Sequence, residues 1–290
     1  IATGGLEYKP QQHLYGQDPR VMTALELDAA LKSDTDDIIN CGSIAFLQCV
    51  GSRIPERPYC SKVCCTHSVK SALTLKARNP NMEIYIIYRD MRTYGLRENL
   101  YHTAREQGIH FVRFNLDNGL EVKNGTANLS VSFTDSILNR RLTLKPHRLV
   151  LATAIVEPGN IPLSQAFKVP VNADGFFNEA HVKLRPVDFA TDGVFVCGLA
   201  HGPKPIDETI AQAQAAAARA AVVLSKPSIL VGGKTAHIET TMCTGCEVCV
   251  QVCPYSAIDR NIRGKAEVNP ALCHGCGTCA AACPSGAITA

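Results

Sequence analysis

Eight cysteines near the carboxyl end constrain this chain more than any other feature. Cys243, Cys246, Cys249 and Cys253 stand as C-x2-C-x2-C-x3-C-P, and Cys273, Cys276, Cys279 and Cys283 repeat that spacing, with Pro254 and Pro284 behind the last cysteine of each run. The pattern has a geometric reason. A 4Fe-4S cube needs four thiolates converging from different sides; three can come from one tight loop, and the fourth must arrive from elsewhere. Gly245, Gly275 and Gly277 let the backbone fold closely round the sulfurs and aim its N–H groups at them. Zinc would favour CxxC pairs over two four-cysteine runs, and a disulfide scaffold belongs to small extracellular domains, not to a chain of 290 residues. The spacing predicts two cubic clusters.

Composition sets the compartment. The chain has fourteen cysteines, and twelve of them fall in dense clusters, the pattern of metal ligation under reducing conditions. Hydrophobic residues make up 46% and charged residues 19%, as in an ordinary globular enzyme with room for about two domains and a small module. No apolar run approaches the roughly 18 residues of a membrane span and no signal peptide is visible, so a soluble, cytoplasmic protein is expected. The formal charge of +3 carries no nucleic-acid inference. Each oxidised cube adds about −2 to it, and no basic, aromatic-studded run stands ready for a nucleic acid.

Ahead of the cysteine runs, strands and helices alternate. The opening Ile1-Ala2-Thr3-Gly4-Gly5 reads as the end of a buried strand closing an FAD domain, with Thr3 and Gly4 beside the cofactor. A chain that opens so is expected to be a fragment, a processed chain or the second half of a split protein. A helix is expected over Met22 to Leu31 and a polar linker over Lys32 to Asn40. Strands follow at Ser43 to Val50, Glu83 to Tyr88 and Ile109 to Phe114, separated by helices over Cys60 to Arg78 and up to about Gln107. This β-α-β-α-β order implies a parallel, doubly wound sheet. Asn128 to Phe133 and Arg141 to Leu144 read as an antiparallel excursion, after which Leu149 to Ala154 brings the chain back to the first domain.

The turn after Leu47, where a nucleotide-binding G-x-G-x-x-G is expected, is replaced by Cys49, Cys60, Cys64 and Cys65, spaced C-x10-C-x3-C-C. These thiols suggest a third cluster, provided the backbone bends sharply between the adjacent pair. The alternative keeps Cys64 or Cys65 as a buried thiol, with Cys41 or a partner residue completing the site. Arg89 and Arg92 follow the second strand, where NADP domains keep arginines for the 2′-phosphate; without the glycine turn, a solvated or partner-facing surface is expected. Gly193 to Gly198 reads as a buried strand, and Pro203 to Thr209 opens an alanine-rich helix through Ala221. In flavoproteins such a helix points its positive end at the isoalloxazine, which makes Gly198, Leu199, Pro205, Ile206 and Thr209 candidate cofactor contacts. His201 is either a flavin contact or a structural histidine, and Pro227 to Gly233 is a linker.

The two cysteine runs resemble those of two-cluster ferredoxins, in which the fourth cysteine of each run ligates the other cluster. The resemblance assigns Cys243, Cys246, Cys249 and Cys283 to one cube, and Cys273, Cys276, Cys279 and Cys253 to the other. The segments Gln48 to Arg53, Tyr59 to Cys65, Tyr88 to Gly95 and Gly202 to Ile206 together are similar to the A subunit of heterodisulfide reductase, in its C-terminal portion. That family includes related iron-sulfur flavoproteins of anaerobes.

This second resemblance implies an α/β core of the two-dinucleotide-binding-domain, thioredoxin-reductase-like kind, present in part, with an α+β two-cluster ferredoxin module. Residues 1–35 and 146–226 then form a partial FAD domain, 36–145 a degenerate NAD(P)-like domain, and 227–290 the ferredoxin module. It implies a third cluster on Cys49, Cys60, Cys64 and Cys65, in an oxidoreductase component whose chemistry lies wholly in its cofactors. Such a component passes electrons between FAD and 4Fe-4S clusters, in some members by bifurcation, in methanogenesis and other anaerobic routes. Its implied partners are heterodisulfide reductase B/C-like, hydrogenase-like or formate-dehydrogenase-like subunits, or a chain carrying the N-terminal half of the FAD site. Two departures stand out: the G-x-G-x-x-G turn for the FAD pyrophosphate is absent, and Leu199 stands where many flavoproteins place an aspartate. FAD is therefore expected to be shared with a missing segment or a partner chain. Rival readings are an iron-sulfur wire or scaffold without flavin chemistry, and a component of an NAD(P)H-dependent flavin oxidoreductase, against which the lost glycine turn speaks.

Overall fold

The structure is a computed structural model that describes residues 1–33, 36–116, 119–227 and 234–290. The chain divides into two units, one of residues 5–156 and 203–205, the other of residues 1–4, 157–202 and 206–290.

The first unit is α/β. Its elements are β1 (Leu6–Glu7), β2 (Val21–Thr23), α1 (Ala24–Lys32), α2 (Asp36–Ile39), β3 (Ser43–Val50), α3 (Cys64–Arg78), β4 (Glu83–Tyr88), α4 (Glu98–Glu106), β5 (His110–Arg113), β6 (Leu120–Lys123), β7 (Ser130–Asp135), β8 (Arg140–Leu144), β9 (Arg148–Thr153) and β10 (Ile155–Val156). Five strands form a parallel sheet in the order β2-β9-β3-β4-β5. Strand β3 is buried along its whole length, which is why its sequence is an almost unbroken apolar run. Ile44 and Phe46 pack to one face with Leu27 of α1 and Val69 and Leu75 of α3. Ala45 and Leu47 pack to the other, under Val131 and Phe133 of β7. Each large apolar side chain so buried contributes about 1.5–3 kcal/mol. Strands β6, β7 and β8 form the expected antiparallel excursion.

Several boundaries differ from the sequence reading. Helix α1 starts at Ala24, not Met22, because Thr23 caps it: its hydroxyl accepts the Glu26 N–H while the Glu26 carboxylate accepts the Thr23 N–H. Helix α3 begins at Cys64 rather than Cys60, since Lys62 adopts a left-handed φ of 58° and turns the chain just before it. The strand expected to return to a first domain is β9, which lies between β2 and β3 with Leu149, Val150 and Leu151 wholly buried. Residues 5–33 and 146–156 thus belong to the α/β unit, not to the partial FAD domain drawn from the sequence. Of the two expected linkers, residues 34–35 and 228–233 lie outside the described residues.

The second unit holds α5 (Ile161–Phe167), α6 (Ile206–Leu224), β11 (His237–Ile238), α7 (Val248–Val252), β12 (Ile258–Arg260), β13 (Ala266–Val268), α8 (Thr278–Ala282) and β14 (Ile288–Thr289). Val169, Phe177, Phe189, Val196 and Ala200 form a small core, with the two phenyl rings edge-to-face at 5.9 Å. Gly193 to Gly198 is no strand: Gly193 has a positive φ of 79°, and Phe195 makes a single bridge to Asp188. Ile1 lies alongside, its backbone nitrogen donating to the Phe195 carbonyl at 2.6 Å and its own carbonyl accepting the Cys197 N–H at 3.1 Å. The cysteine-rich part is internally repeated. Strand β11 pairs with β14, β12 pairs with β13, and α7 packs against α8.

Candidate metal centres

Each short helix of the cysteine-rich part splits its run. Helix α7 carries Cys249 and ends at Cys253, and α8 carries Cys279 and ends at Cys283. At about 1.5 Å per residue, four residues of helix carry the last cysteine roughly 6 Å beyond the third. Cys243, Cys246, Cys249 and Cys283 line one small cavity. Cys253, Cys273, Cys276 and Cys279 line a second. These are the crossed sets.

The surroundings suit thiolate-bound cubes. A Cβ on Gly245 would stand 2.5 Å from the Gly264 carbonyl oxygen, and one on Gly275 2.5 Å from that of Lys234. Both glycines have positive φ, 77° and 61°, so the loops close round the cavities only without a side chain there. The Ala236 N–H donates to Cys273 Sγ and the Ala257 N–H to Cys253 Sγ, both at 3.3 Å. Burial pushes the Cys249 and Cys279 thiols up, while the hydroxyls of Thr278 and Ser285 pull Cys276 and Cys283 down.

A separate cysteine cluster sits at the carboxyl edge of the parallel sheet. Cys49 has a left-handed φ of 62°, at the point where the β3–β9 register slips between Leu47 and Val50. That conformation costs about 1–3 kcal/mol and interrupts the strand's regular alternation. Cys64 and Cys65 are buried in the first turn of α3, whose boundary residue Val63 offers no side-chain cap. Successive helical residues diverge by about 100°, and the backbone does not bend between Cys64 and Cys65, which are both helical; the left-handed turn at Lys62 lies ahead of the pair. An uncapped helix N-terminus also favours an anionic group.

The thiols perturb one another. Burial pushes Cys49 up, and the nearby Cys65 adds to it, while the Arg53 guanidinium works the other way. The adjacent Cys65 and burial hold the Cys64 thiol well above the usual range, while Cys65, whose Sγ lies 3.8 Å from the Asp90 carbonyl, falls to about 7. Cys60 is near enough to raise both Cys49 and Cys64. Cys41 does not belong here: it precedes β3 while Cys49 is near that strand's far end, about 25 Å away at roughly 3.3 Å per residue. The fit of a polar group to this site has an independent mark. Four buried side-chain atoms, Gln48 Nε2 and Oε1, Arg53 Nη1 and Ser68 Oγ, have no hydrogen-bond partner. Gln48 adjoins Cys49, Ser68 lies one turn of α3 beyond Cys64, and Arg53 binds Asp90, whose carbonyl is 3.8 Å from Cys65 Sγ.

Of the two arginines expected on a solvated or partner-facing surface, Arg92 is exposed and Arg89 half-buried. Arg89 donates to the Arg53 carbonyl at 2.8 Å, and the Arg92 main chain and charge lower the Cys65 thiol. Sequence reasoning missed Arg53, whose Nη2 donates to Asp90 at 2.6 Å and whose charge faces Cys49.

The candidate flavin contacts are distributed unevenly. Thr3, Gly4, Gly198, Leu199, Ile206 and Thr209 are in the second unit, whereas Pro205 counts with the first. Thr3 donates to Asn160 Oδ1 at 3.0 Å, and Gly198, with φ of 71°, has the Thr209 methyl 3.4 Å from the place of a Cβ. His201 is a structural histidine: Gln212 Nε2 donates to its Nδ1 at 2.8 Å, so its Nε2–H donates to Glu179 at 2.7 Å.

Comparison with known proteins agrees with this geometry. A family model described as a 4Fe-4S dicluster domain matches residues 242–287. The chain is 40% identical to the A subunit of the H2:CoB-CoM heterodisulfide,ferredoxin reductase of Methanothermobacter thermautotrophicus, across 93% of this chain and 43% of that protein. The chain belongs to the family of heterodisulfide reductase A subunits. An Archaeoglobus profundus protein, named as like the A subunit of heterodisulfide reductase, is 41% identical, over 74% of this chain and 31% of that one. The chain thus spans less than half the length of the curated relatives it matches. Among solved structures, Lactococcus lactis thioredoxin reductase aligns with a TM-score of 0.50 and 16% identity, covering 78% of this chain and 66% of that one. The likeness is one of fold, the two-dinucleotide-domain architecture. No helix among the described residues is long and apolar enough to cross a membrane.

Proposed function

We propose that this chain is an electron-transfer part of a heterodisulfide-reductase-like complex, carrying two 4Fe-4S cubes on its crossed cysteine sets, a third on Cys49, Cys60, Cys64 and Cys65, and one side of an FAD site. One observation supports this above the rest: twelve of the fourteen cysteines gather in three sets of four. When bound, flavin exchanges electrons in pairs and the cubes singly, so together they divide two-electron chemistry into one-electron steps. The chain's own part is to hold thiolates at fixed spacing, exclude water by burial, and turn N–H groups and arginines toward the anionic sulfurs.

For FAD, the proposed contacts are Thr3, Gly4, Gly198, Leu199, Pro205, Ile206 and Thr209, with the N-terminus of α6 toward the flavin. Helix α6 buries only Ala216 of its nineteen residues, which leaves its faces open to another layer of protein. The ADP half of the site then comes from another segment or a companion protein. The proposed setting is the cytoplasm of an anaerobe, with subunits like those of heterodisulfide reductase, hydrogenase or formate dehydrogenase as partners. A relative named for both CoB-CoM heterodisulfide and ferredoxin supports division of electron pairs between two acceptors, that is, bifurcation.

The test follows electrons after anaerobic reduction of the flavin in the purified complex, with the cubes monitored by EPR. Cys60→Ser should leave the flavin reducible but slow the appearance of reduced ferredoxin-type cubes. Unchanged transfer in that variant, or protein that never carries flavin, would overturn the reading.

A further inference from the structure

A folded interior seldom leaves a buried polar atom unpaired. Among the described residues, Gln48 Nε2 and Oε1, Arg53 Nη1 and Ser68 Oγ are the buried side-chain atoms without a hydrogen-bond partner. They are not scattered. Gln48 immediately precedes Cys49 in β3, Ser68 lies one turn of α3 beyond Cys64, and Arg53 donates to Asp90, whose carbonyl oxygen lies 3.8 Å from Cys65 Sγ. Gln48 and Ser68 are each 1% exposed, so solvent does not serve them.

Arg53 is also held in place. Its Nη2 donates to Asp90 Oδ2 at 2.6 Å, its backbone N–H donates to the Tyr59 carbonyl at 3.1 Å, and its carbonyl accepts from Arg89 at 2.8 Å. The guanidinium is clamped on one edge while Nη1 is left without a partner. Three of the four unpaired atoms can donate, and they belong to residues that neighbour Cys49 or Cys64 in the chain or, for Arg53, that bind Asp90 next to Cys65. The acceptors that answer three donors at one such place are sulfurs of an anionic cluster.

We propose that Arg53, Gln48 and Ser68 donate hydrogen bonds to the sulfurs of the cluster on Cys49, Cys60, Cys64 and Cys65 and so raise its reduction potential. This rests on the third-cluster reading above and adds the groups that set that cluster's potential. The reduced cluster carries one more negative charge than the oxidised one. Donors and a fixed cation therefore stabilise the reduced state more, as hydrogen bonds to sulfur and net charge do in iron-sulfur proteins generally.

The experiment is an EPR-monitored redox titration of the anaerobically purified holoprotein, with iron content measured on each sample. The relevant signal is the one that Cys49→Ala abolishes. In Arg53→Met the reduced-to-oxidised ratio at fixed potential should fall about tenfold, a shift of about 59 mV for a one-electron couple. Gln48→Met and Ser68→Ala should each shift it the same way by less, and Arg53→Lys should recover part of the Arg53→Met loss. Unchanged ratios with full iron in the three donor variants would overturn the inference while leaving the cluster in place. A wild-type protein with no Cys49-dependent signal would overturn the cluster reading itself. If Arg53→Met alone loses iron, the other two variants decide. Loss of the cluster from all three would assign these donors to holding it and overturn the tuning.

Discussion

Replacing Cys283 by serine tests the crossing of the two cysteine runs, because the damage is predicted in the other run. Cys283 ends α8, beyond Cys279, and lines the cavity of Cys243, Cys246 and Cys249. A serine hydroxyl is a poor replacement for a soft thiolate ligand. The variant should therefore lose one cube, about four of roughly twelve irons, and release three thiols from ligation. In the folded chain Cys246 is exposed, while Cys243 and Cys249 are only 9% and 7% exposed. Alkylation under native anaerobic conditions should accordingly reach Cys246 first, and the other two as the emptied loop loosens, since cluster binding is part of the folding free energy. The assay uses a light alkylating reagent before cluster removal and a heavy one after it, with mass spectrometry of the peptides. The expected result is light label on Cys243, Cys246 and Cys249 and heavy label on Cys273, Cys276 and Cys279. Light label on Cys273, Cys276 and Cys279 instead would mean that each run closes its own cube, and would refute the crossed assignment.

Cys49→Ala should lower iron from about twelve to about eight per chain with both ferredoxin-type signals intact, while Cys41→Ala, at the opposite end of β3, should leave iron unchanged; equal iron in both variants would contradict the site. Gly275→Ala places a Cβ 2.5 Å from the Lys234 carbonyl oxygen at a φ of 61°. It should cost about 1–3 kcal/mol and speed iron release to a chelator, and wild-type release kinetics would sink the close-approach argument. Asp18 accepts the Arg20 backbone N–H and two of its guanidinium donors, and the Arg20 side chain holds its carboxyl below the usual range. A depressed folded-state value gives stability that is present above the unfolded value of about 3.9 and is lost as pH falls through the folded one. Asp18→Asn should thus lower stability at neutral pH, with the deficit shrinking in acid. A deficit that is the same at low and neutral pH in denaturant unfolding would contradict it.

Much of this molecule is legible in its sequence, and the reasons differ by region. The ferredoxin-type ligands are legible because the spacing itself does geometric work: three cysteines fit one loop, and a five-residue helix carries the fourth away. The doubly wound sheet is legible because β3 and β4 are buried apolar runs divided by an amphipathic helix. Strand β9 is legible as a strand but not as the neighbour of β2 and β3, since an apolar run records burial and not which strands it pairs with. Lys62 hides the true start of α3, because a left-handed lysine carries no sequence signal of the kind glycine does. Gly193 to Phe195 looks like a strand for the same reason in reverse: Val194, Phe195 and Val196 mark a buried segment, not a ladder. Arg53, Gln48 and Ser68 escape notice in the sequence because an unpaired buried atom is visible only once everything around it has been placed.

The central claim is that this chain joins flavin to three cubic clusters. The most direct measurement is iron, acid-labile sulfide and flavin per chain, on protein purified anaerobically with whatever accompanies it. About twelve irons and as many sulfides per chain, together with FAD, are predicted. About eight irons without flavin would contradict the claim, reducing the chain to a two-cluster ferredoxin on an empty flavoprotein scaffold.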